Sequence, residues 1–269
     1  CIGKSNTWEQ VQTGLEATCA LDQAGWPFCF GDEEAITDIP KTQFQKLALY
    51  GDHGCGIDLY QNMICWGEND FGQTNAPAGR FVEVDVGELN SCGINDQGFI
   101  QCWGLPGDLV NRIPTGSFVR LSLGHNHACA LKADGTAHCW GDNSEEKSSP
   151  DSKFYTDIQA GESHSCMIHR SGRVECIGGN NHGESNPPTT VLASLSAGHS
   201  GNCGLTYEGK MECWGAIHEN DSLRTIQLTS PEKKKFKTVS LNREHGCGVT
   251  QAGKLFCWGD NSAGQSYPP

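Results

Sequence analysis

Fourteen of the fifteen cysteines stand in seven pairs, and the members of every pair are ten positions apart. The pairs are Cys19/Cys29, Cys55/Cys65, Cys92/Cys102, Cys129/Cys139, Cys166/Cys176, Cys203/Cys213 and Cys247/Cys257. From one first cysteine to the next the step is 36, 37, 37, 37, 37 and then 44 residues. A fixed period of this length is the mark of a propeller, a solenoid or an array, and it governs how the rest of the chain is read. The repeat fills nearly all of the 269 residues, so one domain over 1–269 is expected, with units at about 7–43, 44–80, 81–117, 118–153, 154–190, 191–235 and 236–269.

The spacing within a pair has a simple geometric reading. Folding the segment around Asp134 sets Lys132 opposite Thr136, Leu131 opposite Ala137 and Ala130 opposite His138, which brings Cys129 directly opposite Cys139. Directly opposed residues on antiparallel strands lie about 4.5 to 5.5 Å apart at Cα, within the reach of a disulfide. The three-residue turn this requires wants a left-handed residue at its third position, usually Gly. That position holds Gly25, Gln61, Gly98, Gly135, Gly172, Gly209 and Gly253, so repeat two, with Gln61-Asn62, is expected to turn differently. Zinc sites prefer short C-x₂₋₄-C half-sites, and the chain has none. Seven intrachain disulfides are therefore expected, and with them an oxidising compartment, so that the mature protein is secreted or on a cell surface.

Ahead of each pair lies a strand. In repeat four Val119, Leu121 and Leu123 alternate with Arg120 and Ser122, the period of a half-buried strand. After each pair a bulky residue recurs in C-W-G: Trp66, Trp103, Trp140, Trp214 and Trp258, with Phe30 and Ile177 as substitutes. One large residue at a fixed place in every unit reads as packing between neighbouring units, and a sugar-stacking platform is the sharper alternative. Units of three or four short strands cannot bury their faces alone. Repeated radially they make blades, and seven blades close a ring. The fold class expected is all-β, a seven-bladed β-propeller with one disulfide-stapled hairpin per blade. Trp8–Gly14 matches the start of a repeat and Gly259–Gln265 the end of one, so closure is expected to bring the termini together.

Composition narrows the function. The net charge is −13, and an acidic surface repels phosphate backbones, which argues against nucleic acid. No apolar run approaches 18 residues, so no membrane span is expected. The chain lacks G-x-S-x-G, H-E-x-x-H and P-loop strings, and neither catalysis nor a cofactor is expected, although a loop-built active site stays open.

The string G-x-x-H-x-C-A-L-x-x-D-G-x-x-x-C-W-G-x-N-x-x-G-Q resembles the repeat of the regulator of chromosome condensation family. Gly124 to Asn143 fits most of it, and Gly259 to Gln265 supplies its tail. The resemblance implies a seven-bladed propeller. Relatives include a nuclear nucleotide-exchange factor, crinkly-type receptor ectodomains and a bacterial propeller-type β-lactamase inhibitor. The paired cysteines look more like the secreted versions than the nuclear ones. Fold analogy does not fix function.

Function on such scaffolds sits in blade-end loops. The loops just before each first cysteine hold Leu15-Glu16, Gly51-Asp52, Glu88-Leu89, His125-Asn126, Glu162-Ser163, His199-Ser200 and Arg243-Glu244. Where the inhibitor relative carries aromatic anchors, these loops carry none. Glu16, Asp52, Glu88, Glu162 and Glu244 make them an acidic ring suited to a basic protein, an amine-bearing ligand or a cation. A secreted, non-catalytic module that binds a protein partner is the leading expectation, with a lectin that takes glycans at repeated inter-blade pockets as the alternative. His53, His127, His164 and His245 all stand two residues before a first cysteine, where a packing or hydrogen-bond role is expected. His125 and His127 are two apart and could share a face, a weak metal-ligand arrangement; no metal site is expected. The seven extra residues between repeats six and seven, within Ala216 to Lys235, read as a surface loop carrying the sequon at Asn220, a candidate glycosylation site, and the run Lys233-Lys234-Lys235. Cys1, the odd cysteine, leaves an intermolecular disulfide, a free thiol or a lipid anchor open.

Overall fold

The computed structural model describes residues 7–32, 39–148, 150, 151, 154–219, 222–225 and 234–268. Cys1, Asn220 and Lys233 lie outside them. Seven antiparallel sheets follow one another along the chain, each ordered first–second–third strand. Blade 1 is Trp8–Thr13, Ala17–Asp22 and Pro27–Gly31; blade 2 is Phe44–Tyr50, His53–Asp58 and Met63–Gly67; blade 3 is Phe81–Val86, Asn90–Asn95 and Ile100–Gly104. Blade 4 is Arg120–Leu123, His127–Leu131 and Ala137–Gly141; blade 5 is Tyr155–Ala160, His164–His169 and Val174–Gly178. Blade 6 is Ser194–Ala197, Gly201–Leu205 and Met211–Glu219, and blade 7 is Phe236–Leu241, His245–Thr250 and Leu255–Gly259. Blade 6 gains a fourth strand, Ser222–Thr225, paired so that Ala216 faces Thr225. Part of the insertion is thus sheet rather than the surface loop expected of it: the third strand runs on and the chain doubles back along its edge.

Every disulfide expected is present: Cys19–Cys29, Cys55–Cys65, Cys92–Cys102, Cys129–Cys139, Cys166–Cys176, Cys203–Cys213 and Cys247–Cys257. The register is the one the spacing demands, Cys129 facing Cys139 and Ala130 facing His138. The Cα atoms lie 4.0 to 4.1 Å apart, closer than the expected strand spacing. The ladder explains the direction. Lys132 donates to the Thr136 carbonyl, and counting back in alternate pairs puts the cysteines at a non-hydrogen-bonded position, where opposed residues come closest. The two sulfurs of each bond differ in setting. The first cysteine of every pair is buried, on a strand covered on both sides. Cys29, Cys65, Cys102, Cys139, Cys176, Cys213 and Cys257, on the outermost of the three strands, are only half-buried.

The turn of repeat two corrects an expectation. Gln61 adopts φ 70°, as left-handed as its glycine counterparts, so blade 2 turns like the others. Asp58 makes this tolerable: its Oδ1 accepts the N–H groups of Tyr60 and Asn62, each at 2.8 Å. The same turn chemistry recurs at Asp22, which accepts from Ala24 and Trp26.

The core is divided among the seams between blades. One apolar cluster bridges each adjacent pair: Leu21 of blade 1 packs with Phe44 and Trp66 of blade 2, Ile57 with Phe81 and Trp103, and Ile94 with Phe118 and Trp140. Leu131 packs with Tyr155 and Ile158, Ile168 with Leu192 and Trp214, Leu205 with Phe236, and Val249 with Val11. The recurring tryptophans therefore pack between blades, and Trp66, Trp103, Trp140 and Trp214 are all buried. A hydrogen bond repeats at every seam, from the N–H at the start of one blade to the carbonyl at the left-handed turn position of the blade before. Its donors are Phe44, Phe81, Phe118, Tyr155, Leu192 and Phe236, and Trp8 closes the ring by donating to Gly253 at 2.7 Å.

The first strands of all seven blades face the axis around a cavity of only about 60 Å³. Their inward polar side chains tie neighbours together. Ser122 accepts the N–H of Ala160, Ser196 that of Leu241 and Ser240 that of Thr13. The alternation expected for repeat four is accordingly revised: Ser122 is buried and Val119, ahead of the strand, is 48% exposed.

Candidate functional site

All seven loops between first and second strands emerge at one end of the ring, opposite the disulfide-bonded hairpins. Each is latched the same way. The second residue of each loop pair offers its backbone carbonyl to the chain leaving the third strand: Glu16 to Asp32, Asp52 to Glu68, Leu89 to Leu105, Asn126 to Asp142, Ser163 to Gly179, Ser200 to Ala216 and Glu244 to Asp260. A left-handed Gly ends each third strand except that of blade 6, where Gly215 lies within the longer strand, because the close approach leaves no room for a Cβ; at Gly67 one would lie 2.2 Å from the Asp52 carbonyl. The backbone is thus committed to structure, and side chains carry whatever the face recognises. Leu15 and Leu89 are half-buried, and Ser200 is buried beneath His199, whose Nδ1 lies 2.8 Å from its hydroxyl.

The carboxylates do not form the uniform acidic ring expected. Two are paired across seams. His125 Nδ1 lies 2.5 Å from Glu88, and His199 Nε2 lies 2.5 Å from Glu162. Burial pushes the Glu162 carboxyl up, but the His199 hydrogen bond and the charges of His199, His125 and Arg243 prevail and hold it below its ordinary value. Tyr50 stands among these groups, its phenol pushed up to about 12 by burial and then by Glu88 and Glu162. Blades 7, 1 and 2 present the other sector. There Glu16 is raised above its ordinary value by burial, by the carboxyl of Asp32 beside it, and by Glu244 and Asp52. Arg243 approaches Glu244 at 3.8 Å. The reason for the difference lies in the loops: His125 and His199 each follow an acidic blade, whereas no imidazole occupies the loops of blades 1 and 2.

His125 and His127 do not share a face. His125 is half-exposed in its loop, whereas His127 is buried in the seam, Nε2 2.8 Å from Ser165. Among the described residues no three His, Cys, Asp or Glu groups gather as metal ligands do. The four recurring histidines all work alike. Each Nε2 meets a side chain of the next blade: His53 with Ser91, His127 with Ser165, His164 with Asn202 and His245 with Thr18. The partner in turn donates to a linker carbonyl, at Gln73, Lys147, Glu184 or Gln265. A hydroxyl that gives away its one proton can only accept from the ring, and the Asn202 Oδ1 can only accept. Each imidazole is therefore a neutral Nε2–H donor. Burial keeps it so, lowering His53 and His245 to about 4 and His127 to about 3, and lowering His164 as well.

Three of the tryptophans that carried the sugar-stacking alternative spend their N–H groups between blades: Trp103, Trp140 and Trp214 donate to the carbonyls of Gln73, Leu109 and Glu184. Sequence reasoning missed Asp32, Tyr50, Glu145, Lys147, His182 and Glu184, all of which lie at this end. They sit outside the cysteine-anchored loops, in linkers or at a strand end, where the repeat gave no position to compare.

The family profile of the regulator of chromosome condensation (RCC1) repeat matches residues 118–146, 155–184 and 236–265, which are blades 4, 5 and 7 with their linkers. Three of the seven blades thus match the regulator of chromosome condensation repeat. The propeller is similar in structure to the CRINKLY WD40 ectodomain of the Arabidopsis thaliana receptor kinase ACR4, with a TM-score of 0.77 and 26% identity over 97% of this chain and 98% of that one. It is also similar to the entire ectodomain of the Physcomitrella patens receptor kinase CR4, with a TM-score of 0.78 and 22% identity over 94% of this chain and 74% of that one. Prp20p of Saccharomyces cerevisiae, whose binding to Gsp1p and histones has been described, shares the fold at a TM-score of 0.71 and 17% identity, over 96% of this chain and 83% of that one. Seven intrachain disulfides point to an oxidising compartment, where such bonds form and persist. Among the described residues no helix is long and apolar enough to cross a membrane.

Proposed function

We propose that this propeller is a secreted or cell-surface binding module, without catalysis, that engages a basic protein through its loop face, and that residues 1–269 act as one domain. The observation that carries the reading is the sector around Glu16. Beyond the effect of burial, three carboxylates from three blades, Asp32, Glu244 and Asp52, raise Glu16, so the free protein holds like charges together at a cost that a cationic partner relieves. The likeness to a receptor ectodomain over almost its full length supports a binding role outside the cell. Gsp1p and histones, to which Prp20p binds, are proteins, which favours a protein over a glycan as the occupant of a propeller of this shape.

The test is the triple variant Glu16→Gln, Asp52→Asn, Glu244→Gln, with a labelled oligolysine peptide as probe. The association rate at low salt is expected to fall about tenfold, and the wild-type rate to drop as salt approaches about 0.15 M, where screening sets in over roughly 8 Å. Wild-type kinetics in the triple variant at low salt would exclude this sector as the site.

A further inference from the structure

The linkers leaving blades 4 and 5 depart from the repeat in a way that opens a cavity. Blades 2 and 7 end their linkers in buried Gln73 and Gln265, whose Oε1 atoms accept the N–H groups of Phe71 and Ala263. Gln265 also donates to Asp260 at 2.8 Å. At the same place blade 4 has Lys147 and blade 5 has Glu184, each buried, each keeping half of the glutamine's role. Lys147 keeps the donor, 2.8 Å from Asp142, and Glu184 keeps the acceptor, taking the N–H groups of Asn181 and His182. A second departure lies one residue past the third strand. Blades 1 to 4 and blade 7 carry Asp32, Glu68, Leu105, Asp142 and Asp260 there, but blade 5 has Gly179. A Cβ at 179 would fall 2.4 Å from Glu145 Oε2 and 2.6 Å from Ser163 Oγ. The absence of a side chain at 179 lets Glu145 and Ser163 close in over the backbone there, and both line a cup of about 390 Å³ that opens on the loop face across blades 4 to 6.

All ten residues lining the cup are polar or charged. Lys147 is matched by Asp142 and Glu162 by the His199 ring, so Glu145 and Glu184 are the two further carboxylates of the wall. Glu145 reaches the wall from a left-handed backbone, φ 61°, an arrangement that is costly for a residue with a Cβ. We infer that this cup seats an arginine side chain of the basic partner, an inference that rests on the function proposed above. The charge balance asks for a cation. The volume of the cup, and the spread of acceptors around it, suit the five donors of a planar guanidinium better than a compact ammonium with three.

Labelled hexa-arginine and hexalysine peptides, titrated by fluorescence anisotropy at low salt, separate the two ideas. Wild type is expected to bind hexa-arginine more tightly. Gly179→Leu, the residue that blade 3 carries at Leu105, pushes Glu145 and Ser163 out of the cup wall, and exposed Glu145→Gln removes one carboxylate charge from the wall. Both should weaken hexa-arginine about tenfold, the loss of one charge-assisted bidentate pair, and hexalysine far less. The Glu16 sector triple variant should weaken both peptides alike. If the cup variants leave hexa-arginine unchanged, or weaken both peptides equally, the cup is not an arginine seat, and the wider reading stands on the triple variant alone. If neither peptide binds wild type, both readings fall.

Discussion

Seams four to five and three to four are built on the same three-stranded plan, yet one carries a buried histidine relay and the other has none. Across the seam from His127 stands Ser165; across the seam from Asn90 stands Ala128. The pairing holds all round the ring. Blades 2, 4, 5 and 7 carry histidine two residues before the first cysteine, and the blades that follow them offer Ser91, Ser165, Asn202 and Thr18 one residue before theirs. Blades 1, 3 and 6 have Ala17, Asn90 and Gly201 instead, and their followers offer Gly54, Ala128 and Gly246. Asn90 turns back to Leu105 of its own blade. In the apolar seams the indole takes up the space: a Cβ on Gly54 would meet Trp66 at 2.6 Å, and one on Gly246 would meet Trp258 at 2.4 Å. A buried donor and its acceptor are kept or lost together, since either alone carries the full cost of desolvation.

The sharpest way to break the comparison is acid. A histidine whose pKa falls on folding binds its proton more readily in the unfolded chain. Its contribution to stability is therefore complete above the ordinary value near 6.5 and is lost as pH falls toward the folded values of about 3 to 4. Each of the four should cost about 1.4 kcal/mol per pH unit over that window. Urea midpoints measured from about pH 7.5 to 4.5 are expected to drop steeply below the ordinary histidine value; a flat profile would show that the relays are not neutral. Next comes the cycle of His127→Ala, Ser165→Ala and the pair. The histidine variant should lose about 3 kcal/mol, chiefly through the cavity it leaves. The double variant should cost less than the two singles added, because it recreates the Ala128 type of seam. Strict additivity would deny the coupling. The smallest effect is expected of Ala128→Ser, within about 0.5 kcal/mol, since Leu109 offers the new hydroxyl the same linker carbonyl that Gln73 offers Ser91. A loss above about 2 kcal/mol would mean that an apolar seam cannot hold a polar group.

Much of this is legible in the amino-acid sequence alone. The ten-residue interval contains the hairpin register, because only one pairing sets each cysteine opposite its mate. The period contains the ring, because units of three strands have no other way to bury both faces. What stays hidden is whatever depends on a neighbour 36 to 38 positions away. Glu88 and His125 read as two members of a ring and are in direct contact across a seam, 2.5 Å apart. Gln61 reads as a different turn because glycine is cheaper there, and the compensating Asp58 carboxylate sits three residues upstream, outside the turn position itself. The histidine rule is present in the sequence, but only for a reader who compares each blade with the one after it.

Among the described residues no sulfur–sulfur bond joins one blade to another. The molecule is therefore armoured within its sectors and open between them. A protease that cuts inside a hairpin, between the two cysteines of a pair, leaves the chain as one covalent piece until it is reduced. A cut in any linker yields two fragments that part on denaturing gels without reductant, even while the ring holds them together in solution. The gel pattern after limited digestion thus tells which part of a blade was cut, and the armour protects local shape without protecting the closure of the ring.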